Sequence, residues 1–222
     1  MDCDLWDVVG MIAWTAKIKK WLESNAKKSE LIRGSWEVEV ESEDEFDVIT
    51  ARNPTFPFKI TIFVSEHVAT LAINTGMSTD EFDVADRMKM YKKMLHLNAD
   101  YSLVKTGLLG EDDEVVVLVD FDLASLSRQE FFDGLSALLA ATYKLMEKLD
   151  LEEEFMEAVL EKIAILTQRK IEEGASEEDV IEFLVKKVGM KKKEAKQFLA
   201  VIMERMEEDR AKEKEKVVKY IG

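Results

Sequence analysis

The sequence is poor in cysteine, proline and glycine, with one, two and nine of these residues among 222. Because Cys3 is the single cysteine, no intramolecular disulfide can form, and a chain without a disulfide framework is typical of a reducing compartment. The scarcity of proline and glycine excludes collagen-like repeats and long flexible linkers. We therefore expect a folded protein that resides in the cytoplasm.

Long hydrophobic runs are also missing. The apolar stretch near the N-terminus, residues 8–16, is about half as long as a membrane-spanning helix needs to be. It follows Asp2, Asp4 and Asp7, whereas a signal peptide begins with basic residues. The sequence therefore predicts neither a membrane anchor nor an export signal.

Histidine is rare, and the residue types that build catalytic and metal sites are not grouped. His67 and His96 have no second histidine or cysteine at ligand spacing, which argues against a zinc site. The chain also lacks a glycine-rich phosphate-binding loop. We predict no catalytic, cofactor-binding or metal-binding residue, no cofactor, and a protein that is not an enzyme.

Carboxylates leave an enzymatic alternative open. Asp120 and Asp122 flank Phe121 at the end of a predicted strand, where paired carboxylates can do acid–base chemistry. The acidic runs 41–45 and 111–114 offer oxygen ligands to a hard cation, although they lack the spacing of a calcium-binding loop. The alternative is a carboxylate- or divalent-metal-dependent enzyme or regulator.

Positive charge is in the minority, with 31 Lys and Arg against 46 Asp and Glu and a net charge of -15. Residues 1–150 hold 28 acids and 16 bases, and residues 151–222 hold 18 acids and 15 bases, so the first part contributes -12. Such a surface repels phosphate, which argues against nucleic acid and leaves basic proteins or peptides as candidate partners. A second alternative is nucleic-acid contact through the C-terminal lysines, namely Lys186, Lys187 and Lys191 to Lys193.

Hydrophobic periodicity predicts an α+β domain over residues 1–149. The predicted order is α-β-β-β-β-α-β-β-α, an antiparallel sheet flanked by helices. Val38 and Val40 alternate with glutamates, as in a half-buried strand. Ser78 and Ser127 each have Glu three positions later, which predicts capping boxes at the start of the second and third helices.

After Asp150 the pattern is helical only. One helix is predicted over 152–172, a second is capped by Ser176, and a third starts near Lys191. Short turns containing glycine connect them, as in a small antiparallel bundle. Residues 150–222 are therefore predicted to be an appended three-helix module with a charged C-terminal tail.

Large aromatic side chains and methionines mark a candidate partner-binding surface. Three tryptophans lie on the first predicted helix and three methionines on the second, where they offer a large and adaptable apolar area. Packing within the domain accounts equally well for most of them. The candidate residues are Trp6, Trp14, Trp21, Met88, Met90 and Met94.

Three stretches of this first part resemble the type III secretion chaperone-like fold, in its cytoplasmic YbjN-like branch. They are Leu-His-Leu-Asn-Ala-Asp at 95–100 leading to Lys-Thr-Gly-Leu at 105–108, the strand at 115–120, and Leu-Ser-Arg-Gln-Glu-Phe at 126–131. The resemblance covers roughly residues 1–149 and does not extend to the C-terminal module.

The resemblance implies a non-enzymatic protein, often a homodimer, that presents helix and sheet surfaces to another polypeptide. The resemblance does not imply a role in secretion, because the YbjN-like branch shares the fold and has no assigned secretion role. Together with the absence of a catalytic constellation, it predicts a chaperone-like scaffold that binds another protein or peptide, as a homodimer in the cytoplasm.

Overall fold

The alternating segments form a six-stranded antiparallel sheet in the computed structural model, which describes residues 4–24, 36–43, 45–53 and 56–221. Only the backbone is described for residues 4–9 and 209–221. The chain divides into two compact units, Met1–Met156 and Glu157–Gly222. We keep the boundary after residue 149, expected from the sequence, as a proposal about where the two domains separate.

The sheet belongs to the first unit, and its strands follow the order β1-β2-β3-β4-β6-β5. They are β1 (Glu37–Ser42), β2 (Asp47–Arg52), β3 (Ile60–Val64), β4 (Val68–Ser78), β5 (Lys105–Leu109) and β6 (Glu114–Asp122). The strand β6, apolar on both sides in the sequence, lies between β4 and β5 and is paired on both edges. A strand in that position is shielded from solvent along both edges.

One face of this sheet carries the core. Ile49, Ile62, Leu71 and Val119 are cross-strand neighbours on β2, β3, β4 and β6, and all four are fully buried. Because side chains alternate along a strand, the residues between them point to the opposite side. We call the two sides the covered face and the open face.

Three helices of the first unit lie on the covered face: α1 (Asp4–Glu23), α2 (Val84–Asp100) and α3 (Arg128–Lys148). The Thr15 hydroxyl of α1 donates to Asp47 of β2 over 2.6 Å, and the Thr106 hydroxyl of β5 donates to the Met94 carbonyl of α2 over 3.1 Å. Helix α3 packs on β6 and β4. The predicted α+β class, with four strands before the second helix and two after it, is confirmed.

One predicted helix start is wrong. The second helix was expected to begin after Ser78, but β4 extends to Ser78, which pairs with Glu114 across a bulge in the β4–β6 ladder. Helix α2 begins at Val84 instead, and its N-cap is Asp83, whose carboxylate accepts from the Asp86 N–H over 2.9 Å. The capping box at Ser127 forms as predicted and starts α3.

The C-terminal helices follow in the predicted order. They are α4 (Glu152–Glu172), α5 (Glu177–Phe183) with a π-helical turn (Leu184–Val188) that continues it, and α6 (Lys192–Ile221). Ser176 caps α5 in a capping box with Asp179, as predicted. Gly189, at φ 84°, ends the π-helical turn in the left-handed conformation that glycine adopts without steric cost. Among the described residues, no helix combines the length and apolar composition needed to cross a bilayer.

Candidate functional site

The tryptophans of α1 mostly face the interior of the first unit. Trp21 is buried against Phe131 of α3, with ring centroids 5.5 Å apart, and Trp14 meets Trp21 edge to face at 6.2 Å. The Lys17 ammonium lies 3.6 Å from the centroid of the Trp14 ring. The side chain of Trp6 lies outside the described residues. Trp14, half-buried, is thus the described tryptophan of α1 that keeps part of its ring accessible.

The three methionines of α2 have two different environments. Met90 and Met94 are buried, at 8% and 5% exposure, and with Leu97 they form the side of α2 that faces its own domain. Met88 is 62% exposed. Of the three methionines predicted to bind a partner, Met88 is therefore the one whose side chain a partner can contact.

Met88 belongs to an apolar stripe along the outer side of α2. Val84 is 68% exposed and Leu95 is 69% exposed, at spacings of four and seven residues from Met88. These spacings place the three side chains in one line on a helix. Sequence reasoning named Met88 but missed Val84 and Leu95; the signal was the spacing of the three positions. We call these three residues the α2 stripe.

The α2 stripe is held rigidly beside an edge of the sheet. Asn98 of α2 accepts a hydrogen bond from the Thr106 N–H over 2.6 Å and donates one to the Thr106 carbonyl over 3.3 Å. These bonds tie α2 to β5, which is the last strand of the sheet. On β5, Leu108 and Leu109 are exposed large apolar side chains as well. The exposed apolar side chains of α2 and β5 are therefore held in fixed positions relative to one another.

The open face carries the carboxylates that motivated the enzymatic alternative. Asp120 accepts hydrogen bonds from the Lys105 ammonium and, over 2.8 Å, from the Thr70 hydroxyl. Partial burial raises the pKa of Asp120, but the Lys105 and Thr70 hydrogen bonds and the Lys105 charge outweigh it, so this pKa lies below its ordinary value. Asp122 accepts from the Ala124 N–H in the following turn. Both carboxylates are engaged in local structure.

The two histidines lie at the surface of the first unit. His67 pairs with Glu66 at the surface, over 3.0 Å, and the His96 side chain is exposed on α2. Among the residues that the structure describes, no three His, Cys, Asp or Glu side chains converge as metal ligands would. The sequence-based prediction of a protein without catalytic or metal residues stays a prediction.

In the second unit, lysines border a groove between α5 and α6. The groove has a volume of about 700 Å³, with Ile181, Val185 and Leu199 among the residues that line it. Lys186, from the π-helical turn, borders it together with two lysines near the start of α6 and three glutamates of α5. The charged residues that line the groove are Lys186, Lys192 and Lys196 with Glu177, Glu178 and Glu182.

Two family models match the chain. The one described as "Domain of unknown function (DUF8183)" matches residues 17–149. The other, HTH_78, is also described as a domain of unknown function and matches residues 150–215. No curated protein matches the sequence.

Several solved structures align with the chain at low identity. A protein from Methanothermobacter thermautotrophicus aligns at 16% identity with a TM-score of 0.47, over 64% of this chain and 98% of its own. YbjN from E. coli aligns at 10% identity and 0.43, over 63% and 93%. A chain of the ExoU–SpcU complex from the type III secretion system of Pseudomonas aeruginosa aligns at 10% identity and 0.36, over 59% and 96%. The kinds of protein that the sequence resemblance names are thus among the structures found.

Proposed function

Since the chain belongs to the family described as Domain of unknown function (DUF8183), a description that names no activity, we propose a function from its surfaces. In this proposal the protein is a non-enzymatic, chaperone-like scaffold of the cytoplasm. It forms a homodimer and binds another polypeptide. The α2 stripe is the observation that carries the proposal.

Exposing the α2 stripe to water is unfavourable for an isolated chain. Full burial of a valine, leucine or methionine side chain contributes about 1.5 to 3 kcal/mol. All three residues of the stripe are more than 60% exposed and lie in line on one helix. An ordered apolar strip of this kind is typical of a helix that packs against another chain. The α2 stripe therefore supports a function in binding another polypeptide, in which no covalent bond is made or broken.

The charge of α2 differs in sign from that of the chain as a whole. Helix α2 carries four bases, namely Arg87, Lys89, Lys92 and Lys93, and two acids, Asp86 and Asp100. The chain as a whole has a net charge of -15. Two copies of such a chain repel each other at long range, and the excess of bases on α2 lowers that repulsion locally, where the α2 stripe lies.

A basic client segment fits another part of the first unit. On β1, Glu37, Glu39 and Glu41 are exposed and alternate with residues of the covered face, so their side chains line the open face. Glu39 is paired with Arg52 over 2.8 Å. The row of carboxylates supports the proposal that a basic peptide binds at this end of the sheet.

The oligomeric state tests the proposal directly. Multi-angle light scattering at micromolar concentration should give about twice the chain mass of 25.5 kDa. Met88→Glu places a charge in the middle of the α2 stripe and should shift the mass to that of one chain, because an unpaired charge is costly to bury. A wild-type chain that is strictly monomeric would remove the main support for the scaffold.

A matched substitution on α1 distinguishes which of the two helices, α1 or α2, forms the dimer interface. Ile12 is an exposed apolar residue on α1, so Ile12→Glu adds the same charge to the other candidate helix. We expect this variant to remain a dimer. A dimer that dissociates with Ile12→Glu and persists with Met88→Glu would assign the interface to α1 and contradict the role of the α2 stripe.

A further inference from the structure

We propose that the C-terminal unit binds duplex DNA through a lysine patch at the turn between α5 and α6. The patch consists of Lys186, Lys191, Lys192, Lys193 and Lys196. This function is separate from the α2 stripe and does not depend on the proposed scaffold role.

The patch is a single surface of two connected helices. Lys186 lies on the π-helical turn that ends α5, and Lys192 and Lys196 lie on the first turns of α6. These three side chains border the same groove, so they face the same side of the unit, as do Glu177, Glu178 and Glu182. The connection between the helices is only three residues, 189–191, and it begins with a glycine. Two helices joined by a three-residue turn with glycine have the connectivity of a helix-turn-helix.

A common apolar core fixes the two helices against each other. Val180 and Leu184 from the α5 side, with Ala195 and Leu199 from α6, are buried in one cluster. Ile163 of α4 completes that cluster from a third helix. The lysines therefore project from a rigid frame, and little conformational entropy of the backbone is lost when they meet a ligand.

Most of the charge of this patch is uncompensated. Within the described residues, Lys192, Lys193 and Lys196 are exposed and make no ion pair. Glu194, the one acid between them, turns back to accept the Lys191 N–H over 3.1 Å and lies 3.7 Å from the Lys191 ammonium. Three adjacent unpaired cations are notable in a chain with 15 more acids than bases.

Apart from Glu194, the acidic residues nearest to this patch lie on α5, and three of them line the same groove as the lysines. Glu177, Glu178 and Asp179 form the first turn of α5, and Glu182, one turn later, is paired with Lys186. That first turn is the end of α5 away from the connection to α6. Repulsion of phosphate is therefore strongest at that end of the groove and weakest at the turn, where Lys191, Lys192 and Lys193 lie.

Duplex DNA matches both the charge and the shape of this surface. Lysines that contact phosphates release counterions, which is the main source of general DNA affinity. The major groove of B-form DNA is wide enough to admit a helix, and α6 presents its basic first turns at the end nearest the turn. Duplex RNA has a deep, narrow major groove that excludes a helix. The acidic first unit disfavours contact with phosphate and so directs DNA to the second unit.

Fluorescence anisotropy with the full chain and a labelled duplex of about 20 base pairs tests the proposal, in about 50 to 300 mM KCl. We expect a slope of log K against log salt of about -4 for the wild type, since each phosphate contact contributes about 0.9. Replacing Lys192, Lys193 and Lys196 with glutamine should reduce the slope by about 2 to 3 and weaken binding at least tenfold at about 100 mM KCl. Glutamine keeps the helix propensity of lysine, and circular dichroism confirms that the variant is folded.

A charge-matched control removes three exposed lysines of the first unit. Lys17, Lys20 and Lys59, each changed to glutamine, should leave DNA binding within about twofold of the wild type. No binding at about 50 mM KCl with protein at about 100 μM would overturn the proposal, as would equal losses in the two triple variants. Binding to duplex RNA as tight as to duplex DNA would overturn it too.

Discussion

At the residue scale, one glycine sets the distance between α3 and the sheet. A Cβ atom at Gly134 would lie 2.2 Å from Cζ of Phe121 and 3.3 Å from Cγ1 of Val119. A glycine within a helix is less favourable than alanine by about 0.5 to 1 kcal/mol, so a compensating contact is expected. Here the Phe121 ring fills the space and reaches Phe131, with centroids 5.9 Å apart.

Gly134→Ala should therefore destabilise the first unit. The added methyl group overlaps the Phe121 ring, and overpacking of a core costs about 1 to 3 kcal/mol, which exceeds the gain in helix propensity. The measurement is urea unfolding followed by tryptophan fluorescence. Gly10→Ala in α1 is the matched control, because no atom of the described residues lies within 4 Å of the added Cβ. It should stabilise by about 0.5 kcal/mol, and a loss of stability at both positions would contradict the packing argument.

At the scale of elements, α2 illustrates why helix starts are hard to predict. The segment 77–82 has the signature of a capping box, yet its serine, Ser78, is the last residue of β4. The Ser78 hydroxyl donates to the Asp112 carbonyl over 2.7 Å, and the Thr79 N–H donates to the Asp113 carbonyl over 3.2 Å. These partners lie more than 30 residues away, and only tertiary structure brings them near.

The N-cap of α2 gives a second prediction. Asp83→Ala removes the acceptor for the Asp86 N–H and should cost about 1 kcal/mol of stability in urea unfolding. Glu81→Ala should change stability by less than about 0.5 kcal/mol, because Glu81 is exposed and outside the helix. If the capping box expected from the sequence formed in solution, the ranking of these two variants would be reversed.

Alternation and local capping were enough to predict most elements. Six strands, the cap at Ser127 and the cap at Ser176 follow from residues within one turn or one strand of each other. The candidate surface was only partly predictable, since α2 has apolar residues on two sides. Which side faces the domain is decided by its docking to β5 through Asn98, and periodicity does not contain that information.

At the scale of the whole molecule, each of the two units contains buried apolar residues in the part of the chain that the structure describes. The core of the first unit surrounds the sheet and includes Leu71 and Leu138, both fully buried. The core of the second unit joins α4, α5 and α6 through Val180, Leu184 and Leu199. All four tryptophans occur within the first 36 residues, so tryptophan fluorescence reports on the first unit alone. Far-UV circular dichroism, in contrast, includes the helices of both units.

This distribution of tryptophans allows the two-domain proposal to be tested in the intact chain. Leu184→Ala leaves a cavity in the second core, which costs about 2 to 5 kcal/mol. If the units unfold separately, the circular dichroism transition should split or broaden toward lower urea while the fluorescence midpoint stays unchanged. Leu138→Ala, the same substitution at a fully buried position of α3, should lower the fluorescence midpoint instead. If Leu184→Ala lowers both midpoints equally, the two cores unfold as one cooperative unit, and a division into two independently stable domains is wrong.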